Sequence, residues 1–329
     1  MIDITLNNKA IIFALMILNL SICIQPATVN AAGRDNLGDV LSNRSADIPS
    51  VGKGREVIGR QLETQSGLDT NSSTTDPDTA LAQMAKKYET AIGLVIAVVP
   101  VDGKFQPVPF GTAWAVRPNV FATNSHVTEP IKKLLAHGVE VFIALNKSPK
   151  NRIKVNGAIS HPRFQEKNRN FQGLKSVGLS FDVGLLTTEE SVLNFFPTAS
   201  NNELKKVDSG YRIAYLGFPM EGLENNNVNI YSPVATMQSG IVTSISDYWQ
   251  GDSGFEKNFL IRHNLGATGG ASGSPLFNTK GEVIGVLNAG NVVWLVQFDM
   301  KKKPVVKRSP NAAMINFGQR IDLLNDLLN

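Results

Sequence analysis

Cysteine is nearly absent, with Cys23 the only one in 329 residues. A disulfide-stapled scaffold, a thiolate metal cluster and a C-x-x-C redox pair each need at least two thiols, so all three are excluded. Histidine is scarce too: His126, His137, His161 and His263 are the full set, none at the close spacing of a paired metal ligand. No metal or cofactor is expected. The longest apolar stretch, residues 11–20, is interrupted at Asn19 and falls short of the ~20 residues of a membrane-spanning helix. Charge of either sign is modest, with 32 basic and 28 acidic side chains and a net +4. A local basic run, Lys301-Lys302-Lys303 with Lys307-Arg308, supplies much of that excess and is expected as a solvated loop, so no nucleic-acid partner is expected. Hydrophobic residues make up 42% of the chain, enough for one sizeable two-lobed domain, although aromatic residues contribute only 7%.

Lys9, the apolar stretch after it and the small residues of Val29-Asn30-Ala31 have the organisation of a cleaved signal peptide, 1–31, cut after Ala31. Cys23 lies inside it, and bulky Ile22 stands where a lipoprotein signal would place a small residue. The mature chain would then hold no disulfide and no stable membrane span, which suits a secreted or periplasmic bacterial protein. Residues 32–77 are polar and aperiodic, the expected character of a flexible segment or propeptide. The remainder, 78–329, reads as one domain. A helix is expected from Asp76-Pro77 to Tyr88, then many short strands: 92–99, 111–116, one from Val120 that ends just before His126, 139–145, 153–159, 211–216, 240–245, 259–262, 283–287 and 292–298. Such strands, separated by Gly, Pro and Asn turns, imply an all-β barrel architecture. A helix opened by Pro130 and closed by Gly138, and an amphipathic helix at 321–328, complete the pattern.

The richest segment is Thr268-Gly269-Gly270-Ala271-Ser272-Gly273-Ser274-Pro275. It sets one serine among small residues that leave its hydroxyl unshielded and the nearby N–H groups free to hold an oxyanion, the requirement for acyl transfer. A nucleophilic serine needs a base, and the base an orienting acid. His126 follows the apolar run Val120-Phe121-Ala122-Thr123, and Asp182 precedes Val183-Gly184-Leu185-Leu186. The chain order is His126, Asp182, Ser272. A nucleophile elbow of the α/β-hydrolase type does not fit, because Ser274 replaces its second glycine and no histidine follows Ser272.

With Gly111-Thr112 before Thr123-Asn124-Ser125-His126-Val127, then His161-Pro162 before Asp182-Val183, then Gly270-Ala271-Ser272-Gly273-Ser274-Pro275, the chain resembles the trypsin-like serine peptidases. It is most similar to the bacterial branch holding the Deg/HtrA proteases and the secreted glutamyl endopeptidases. The resemblance implies two six-stranded antiparallel barrels, roughly 92–200 and 207–329, with the site in the cleft between them and a short C-terminal helix. It implies a serine endopeptidase acting on protein or peptide substrates, with His126 as base, Asp182 as orienting acid and Ser272 as nucleophile. Gly270 and Ser272 would form the oxyanion hole. The substrate pocket would lie between Gly266, Ala267 and Thr268 on one side and Leu287, Asn288, Ala289 and Gly290 on the other.

Departures from the family pattern carry information. Ala271 replaces the aspartate that trypsin-like zymogens pair with a new N-terminus, so that activation route is closed. No carboxylate stands where Lys or Arg would be selected, and Leu287 replaces the histidine with which glutamyl endopeptidases meet a substrate carboxylate, although Thr268 matches them. A preference for small or medium aliphatic residues follows. No PDZ module is expected after the last helix, and oligomeric state is left open. Ser274 is expected to be structural. The alternative is a silent or latent homologue that binds peptides in the same cleft.

Overall fold

A computed structural model of the protein describes residues 75–101, 104–149, 152–165, 170–171, 174–175, 180–220, 229–289, 292–298, 304–310 and 315–328. The expected signal peptide and nearly all of the polar segment lie outside these residues.

The described chain opens with helix α1, Pro77–Tyr88. Asp76 caps it by accepting the Thr79 N–H at 3.1 Å, and Pro77 occupies the first turn, where its missing N–H costs nothing. Leu81, Ala85 and Tyr88 form its buried face. After a short 3₁₀ turn come β1 (Ile92–Val101), β2 (Lys104–Arg117) and β3 (Val120–Thr123), then helix α2 (Ser125–Ala136). Next are β4 (Val141–Leu145), β5 (Arg152–Ser160), the small hairpin β6 (Asn170–Phe171) and β7 (Leu174–Lys175), and β8 (Gly184–Thr188). Strands β1-β2-β3-β8-β5-β4 close into one antiparallel barrel.

A one-turn helix α3 (Asn201–Leu204) precedes β9 (Arg212–Gly217), β10 (Thr236–Ser246), β11 (Leu260–His263), β12 (Pro275–Phe277) and β13 (Val283–Ala289). A hairpin of β14 (Val292–Phe298) and β15 (Pro304–Pro310) follows, then β16 (Asn316–Arg320), a 3₁₀ turn (Ile321–Leu324) and α4 (Asn325–Leu328). Here β10-β11-β16-β13-β12-β9 close the second barrel. The fold is therefore two six-stranded antiparallel barrels with a short C-terminal helix, as the sequence implied.

Each barrel is filled by the apolar residues of its strands, led by Ile92, Leu94, Ile96, Trp114, Phe121 and Ile143 in the first and Tyr215, Leu276, Phe277 and Ile284 in the second. Phe196, on the connection between barrels, ties them together. Its ring lies 4.6 Å from Tyr88 of α1, 5.7 Å from Trp114 of the first barrel and 5.9 Å from Phe277 of the second. Burying a ring among such partners is worth about 1.5–3 kcal/mol.

Several elements differ from the sequence expectation. Helix α2 begins at Ser125, five residues before the expected opening at Pro130, which lies inside it. Asn124 is the N-cap residue, but its side chain turns to the Asp182 carbonyl and makes no cap bond. Gly138, with φ 75°, ends the helix as expected. Strands β6, β7, β8, β12 and β16 were not anticipated. Lys307 and Arg308 fall on β15, paired with Leu295 and Trp294, rather than in a loop. Residues 301–303 lie outside the described residues.

Candidate active site

Three local structures bring the site together. Strand β3 ends at Thr123, and the chain passes directly into α2, which puts His126 in the first helical turn with a side chain one-third exposed at 33%. Asp182 sits just before β8, nearly buried, at the centre of a turn closed by the Val183 N–H on the Phe181 carbonyl at 3.0 Å. Ser272 lies on the loop before β12.

Asp182 grips His126 twice. Its Oδ1 accepts the His126 backbone N–H at 2.9 Å, and its Oδ2 meets the ring Nδ1 at 2.7 Å. An ionised carboxylate can only accept, so Nδ1 carries the proton and Nε2 keeps its lone pair for a substrate-side proton. Burial disfavours the charged imidazole, but the adjacent carboxylate charge and its hydrogen bond outweigh this and hold His126 above its ordinary value of 6.5. Such a histidine is poised as a general base near neutral pH.

Asn288 links these groups to the serine. Its carbonyl accepts the Ser272 Oγ–H at 3.1 Å, while its side-chain Nδ2 donates to Asp182 Oδ2 at 3.3 Å. Among the described residues no hydrogen bond joins Ser272 to His126. The Ser272 hydroxyl is held on the β13 backbone.

Around Ser272 the backbone is set by close packing. Thr112 N–H donates to the Ser272 carbonyl at 2.8 Å, which draws β2 against the loop. Gly111 allows this approach, because a Cβ there would lie 2.9 Å from that same oxygen. The Gly269 carbonyl accepts the Met220 N–H at 2.7 Å and the Gly270 carbonyl accepts Thr112 Oγ1–H at 2.8 Å. Both oxygens are thereby occupied. Gly270 has φ 86°, and a Cβ there would overlap the Phe218 carbonyl. The N–H groups of Gly270 and Ser272 have no partner among the described residues, which leaves two donors for a developing oxyanion.

Ser274 is buried and donates to the Ala271 carbonyl at 2.6 Å, a structural position. Gly266, Ala267 and Thr268 are partly exposed on the loop before Ser272, and Thr268 Oγ1 is buried without a partner among the described residues. Leu287 is fully buried, and its backbone pairs with Gly273 and Ser274. Ala289 ends β13 opposite Phe317, and Gly290 lies outside the described residues. The other histidines stand apart from this chemistry. His137 bonds the Lys133 carbonyl at the end of α2, His161 is buried beside Phe181, and burial of His263 pushes its pKa down to about 4.

Sequence reasoning missed two contributors. Asn124 donates to the Asp182 carbonyl at 2.8 Å, and Asn288, expected as a pocket wall, turns its amide to the carboxylate. Only the placement of Asn124 two residues before His126 hinted at the first. Among the described residues, no group of three or more His, Cys, Asp or Glu could hold a metal ion.

The sequence model of the family described as "Trypsin-like peptidase domain" matches residues 111–286. No curated protein matches the chain. Among solved structures, the chain is similar to an HtrA-type protease, AlgW, with a decapeptide, at 14% identity and a TM-score of 0.47, covering 75% of this chain and 66% of that one. It is also similar to the Rv3671c protease in an inactive form, at 15% identity and a TM-score of 0.45, covering 77% of this chain and 95% of that one. A Ser343Ala mutant of Rv3671c from M. tuberculosis H37Rv aligns at 14% identity with a TM-score of 0.45, over 77% of this chain and 93% of that one. The chain thus spans just under two thirds of the length of the AlgW protein.

Proposed function

Because the chain belongs to the trypsin-like peptidase domain family, we propose that it is a serine endopeptidase in which Ser272, His126 and Asp182 act as nucleophile, base and orienting acid. One observation carries this reading. Asn288 touches both ends of the constellation, accepting from Ser272 and donating to the carboxylate that grips His126.

His126 Nε2 takes the Ser272 proton as Oγ bonds to the peptide carbonyl carbon, and the carbonyl oxygen gains negative charge facing the N–H groups of Gly270 and Ser272. The imidazolium, stabilised by Asp182, returns the proton to the leaving amine as the C–N bond breaks. Water then attacks the acyl-enzyme, again with His126 as base, and restores Ser272. The substrate pocket between 266–268 and the end of β13 from Leu287 takes small or medium aliphatic residues, supported by the lack of any carboxylate or histidine at its selecting positions. Action outside the cytoplasm is part of the same proposal and is supported by the character of residues 1–31.

The test is labelling by a fluorophosphonate probe with casein hydrolysis in parallel, using wild type, Ser272→Ala, His126→Ala and Ser274→Ala. Loss of both signals in the first two variants, with Ser274→Ala retaining them, is the expected result. A folded wild type that neither labels nor hydrolyses casein refutes the catalytic reading in favour of a peptide-binding homologue. A cleavage profile dominated by Glu or by Lys and Arg refutes the specificity.

A further inference from the structure

The backbone that presents Asp182 is strained and is held from the opposite barrel. Phe181 has φ 54°, the left-handed region that is costly for a bulky aromatic residue, and it is almost fully buried. Its ring is enclosed on several sides. From the first barrel, the His161 ring stacks on it at 5.2 Å and the Arg163 guanidinium lies 4.1 Å from its centroid. From the second, the Tyr248 ring approaches at 5.1 Å and Phe259 at 6.0 Å.

The two sides of the Asp182 turn are anchored differently. On the trailing side the backbone is held by the first barrel, with Asn124 Nδ2 donating to the Asp182 carbonyl at 2.8 Å and Ser125 Oγ to the Val183 carbonyl at 2.6 Å, while Asn288 Nδ2 of the second barrel donates to the carboxylate at 3.3 Å. On the leading side the Gln165 N–H of the first barrel donates to the Ser180 carbonyl at 3.1 Å, and the Phe181 N–H donates to Tyr248 Oη of the second at 2.9 Å. Tyr248 in turn donates its hydroxyl proton to Gln319 Oε1 on β16 at 2.7 Å. A phenol has one proton, so giving it to Gln319 fixes the oxygen lone pairs toward Phe181. The left-handed residue is thus pinned by an acceptor that a second-barrel strand itself orients.

We propose that Tyr248 is a positioning residue for the catalytic acid, through which the barrel that carries Ser272 sets the position of Asp182 on the other barrel. The inference rests on the peptidase reading and deepens it. Tyr248 touches neither His126 nor Ser272 by any hydrogen bond among the described residues, so its effect passes through the Phe181 backbone and the direction of the Asp182 carboxylate. With the Tyr248 acceptor gone, Phe181 is free to relax toward negative φ, which turns the carboxylate out of its double grip on His126. The base then loses both orientation and the partner that raises its proton affinity. Besides His126 and Asp182, the charged and titratable groups around this turn are His161 and Arg163 on the first barrel and Tyr248 and Asp322 on the second.

Tyr248→Phe in the full chain keeps the ring and removes only the hydroxyl. Fluorophosphonate labelling rates are measured across pH for wild type and variant, with thermal unfolding alongside. The expected result is a plateau rate about tenfold lower, the scale of a lost orienting hydrogen bond at a general base, together with an acid-limb midpoint moved to lower pH. A merely structural role would change unfolding without moving that midpoint. A folded variant that keeps either the wild-type plateau or the wild-type midpoint overturns the inference. Should Tyr248→Phe fail to fold, Gln319→Leu, which removes the group orienting the phenol, carries the same two expectations. Absence of labelling in the wild type overturns the peptidase reading and this inference with it; labelled wild type with an unaffected variant overturns the inference alone.

Discussion

Gly273→Ala should be among the most damaging single-methyl additions in this protein, for reasons that can be separated by a second glycine. Gly273 has φ 89°, and converting a left-handed glycine to alanine costs about 1 kcal/mol from backbone preference alone. A Cβ at this position would also overlap the Thr112 carbonyl oxygen and Thr123 Oγ1. Neither can give way easily. Thr112 holds the Ser272 carbonyl through its N–H at 2.8 Å, and its own carbonyl accepts Thr123 Oγ1–H at 2.7 Å. The Gly273 N–H is tied to the Leu287 carbonyl at 2.8 Å, so the loop cannot retreat without losing that bond as well. Backbone preference, a lost hydrogen bond and a steric overlap against fixed backbone together place the loss at roughly 4–5 kcal/mol. Gly138→Ala isolates the first contribution, because Gly138 has φ 75° but nothing within 4 Å of a new Cβ. For a domain of this size about 1 kcal/mol corresponds to roughly 2–4 °C in Tm. Calorimetry of the two variants should therefore give a drop of a few degrees for Gly138→Ala and roughly 10–15 °C for Gly273→Ala. Equal shifts in the two would refute the view that β2 packs rigidly against the Ser272 loop.

Labelling or hydrolysis should fall as pH drops through the His126 pKa, which lies above 6.5, because only the neutral imidazole can accept the Ser272 proton; Asp182→Asn should lower the rate on the order of 10⁴-fold and move the acid midpoint down, and an unmoved midpoint would contradict the pairing. The same raised value means that the His126–Asp182 pair stabilises the fold fully below about 6.5 and ceases to do so as pH rises through the folded pKa. Glu203, nearly buried and bonded to Lys206, Lys280 and Tyr211, has its carboxyl held down at about 2, so its stabilisation is present above about 4.5 and lost between there and about 2; acid titrations of Glu203→Gln should lack that portion of the stability loss. Phe196→Ala should cost about 3–5 kcal/mol in chemical denaturation, since the ring contacts both barrels and α1, and a loss under 1 kcal/mol would mean the barrels cohere without it.

How far the sequence foretold this molecule depended on whether a feature was local. The strand of 292–298 was legible to the residue, because β-branched and apolar residues run to its ends between Gly, Asn and Asp. His126, Asp182 and Ser272 were each marked by neighbours within four positions, and the small residues around Ser272 announced a tight loop. The start of α2 was hidden because the apolar run from Val120 reads on as a strand, and Asn124, though an N-cap residue, makes no cap bond and turns its side-chain Nδ2 to the Asp182 carbonyl, 58 residues away. Pro130 then drew the expected start too late. Asn288 was placed on the cleft by its strand, but its bond to Asp182 spans 106 residues and no local pattern encodes it. Phe181 is the sharpest case. Nothing in Ser180-Phe181-Asp182 suggests a left-handed aromatic, and the acceptor for its N–H is supplied by Tyr248, 67 residues later. The local signals marked the residues of the candidate site; the contacts that aim them come from residues distant in the chain, within the first barrel for Asn124 and across from the second for Asn288 and Tyr248.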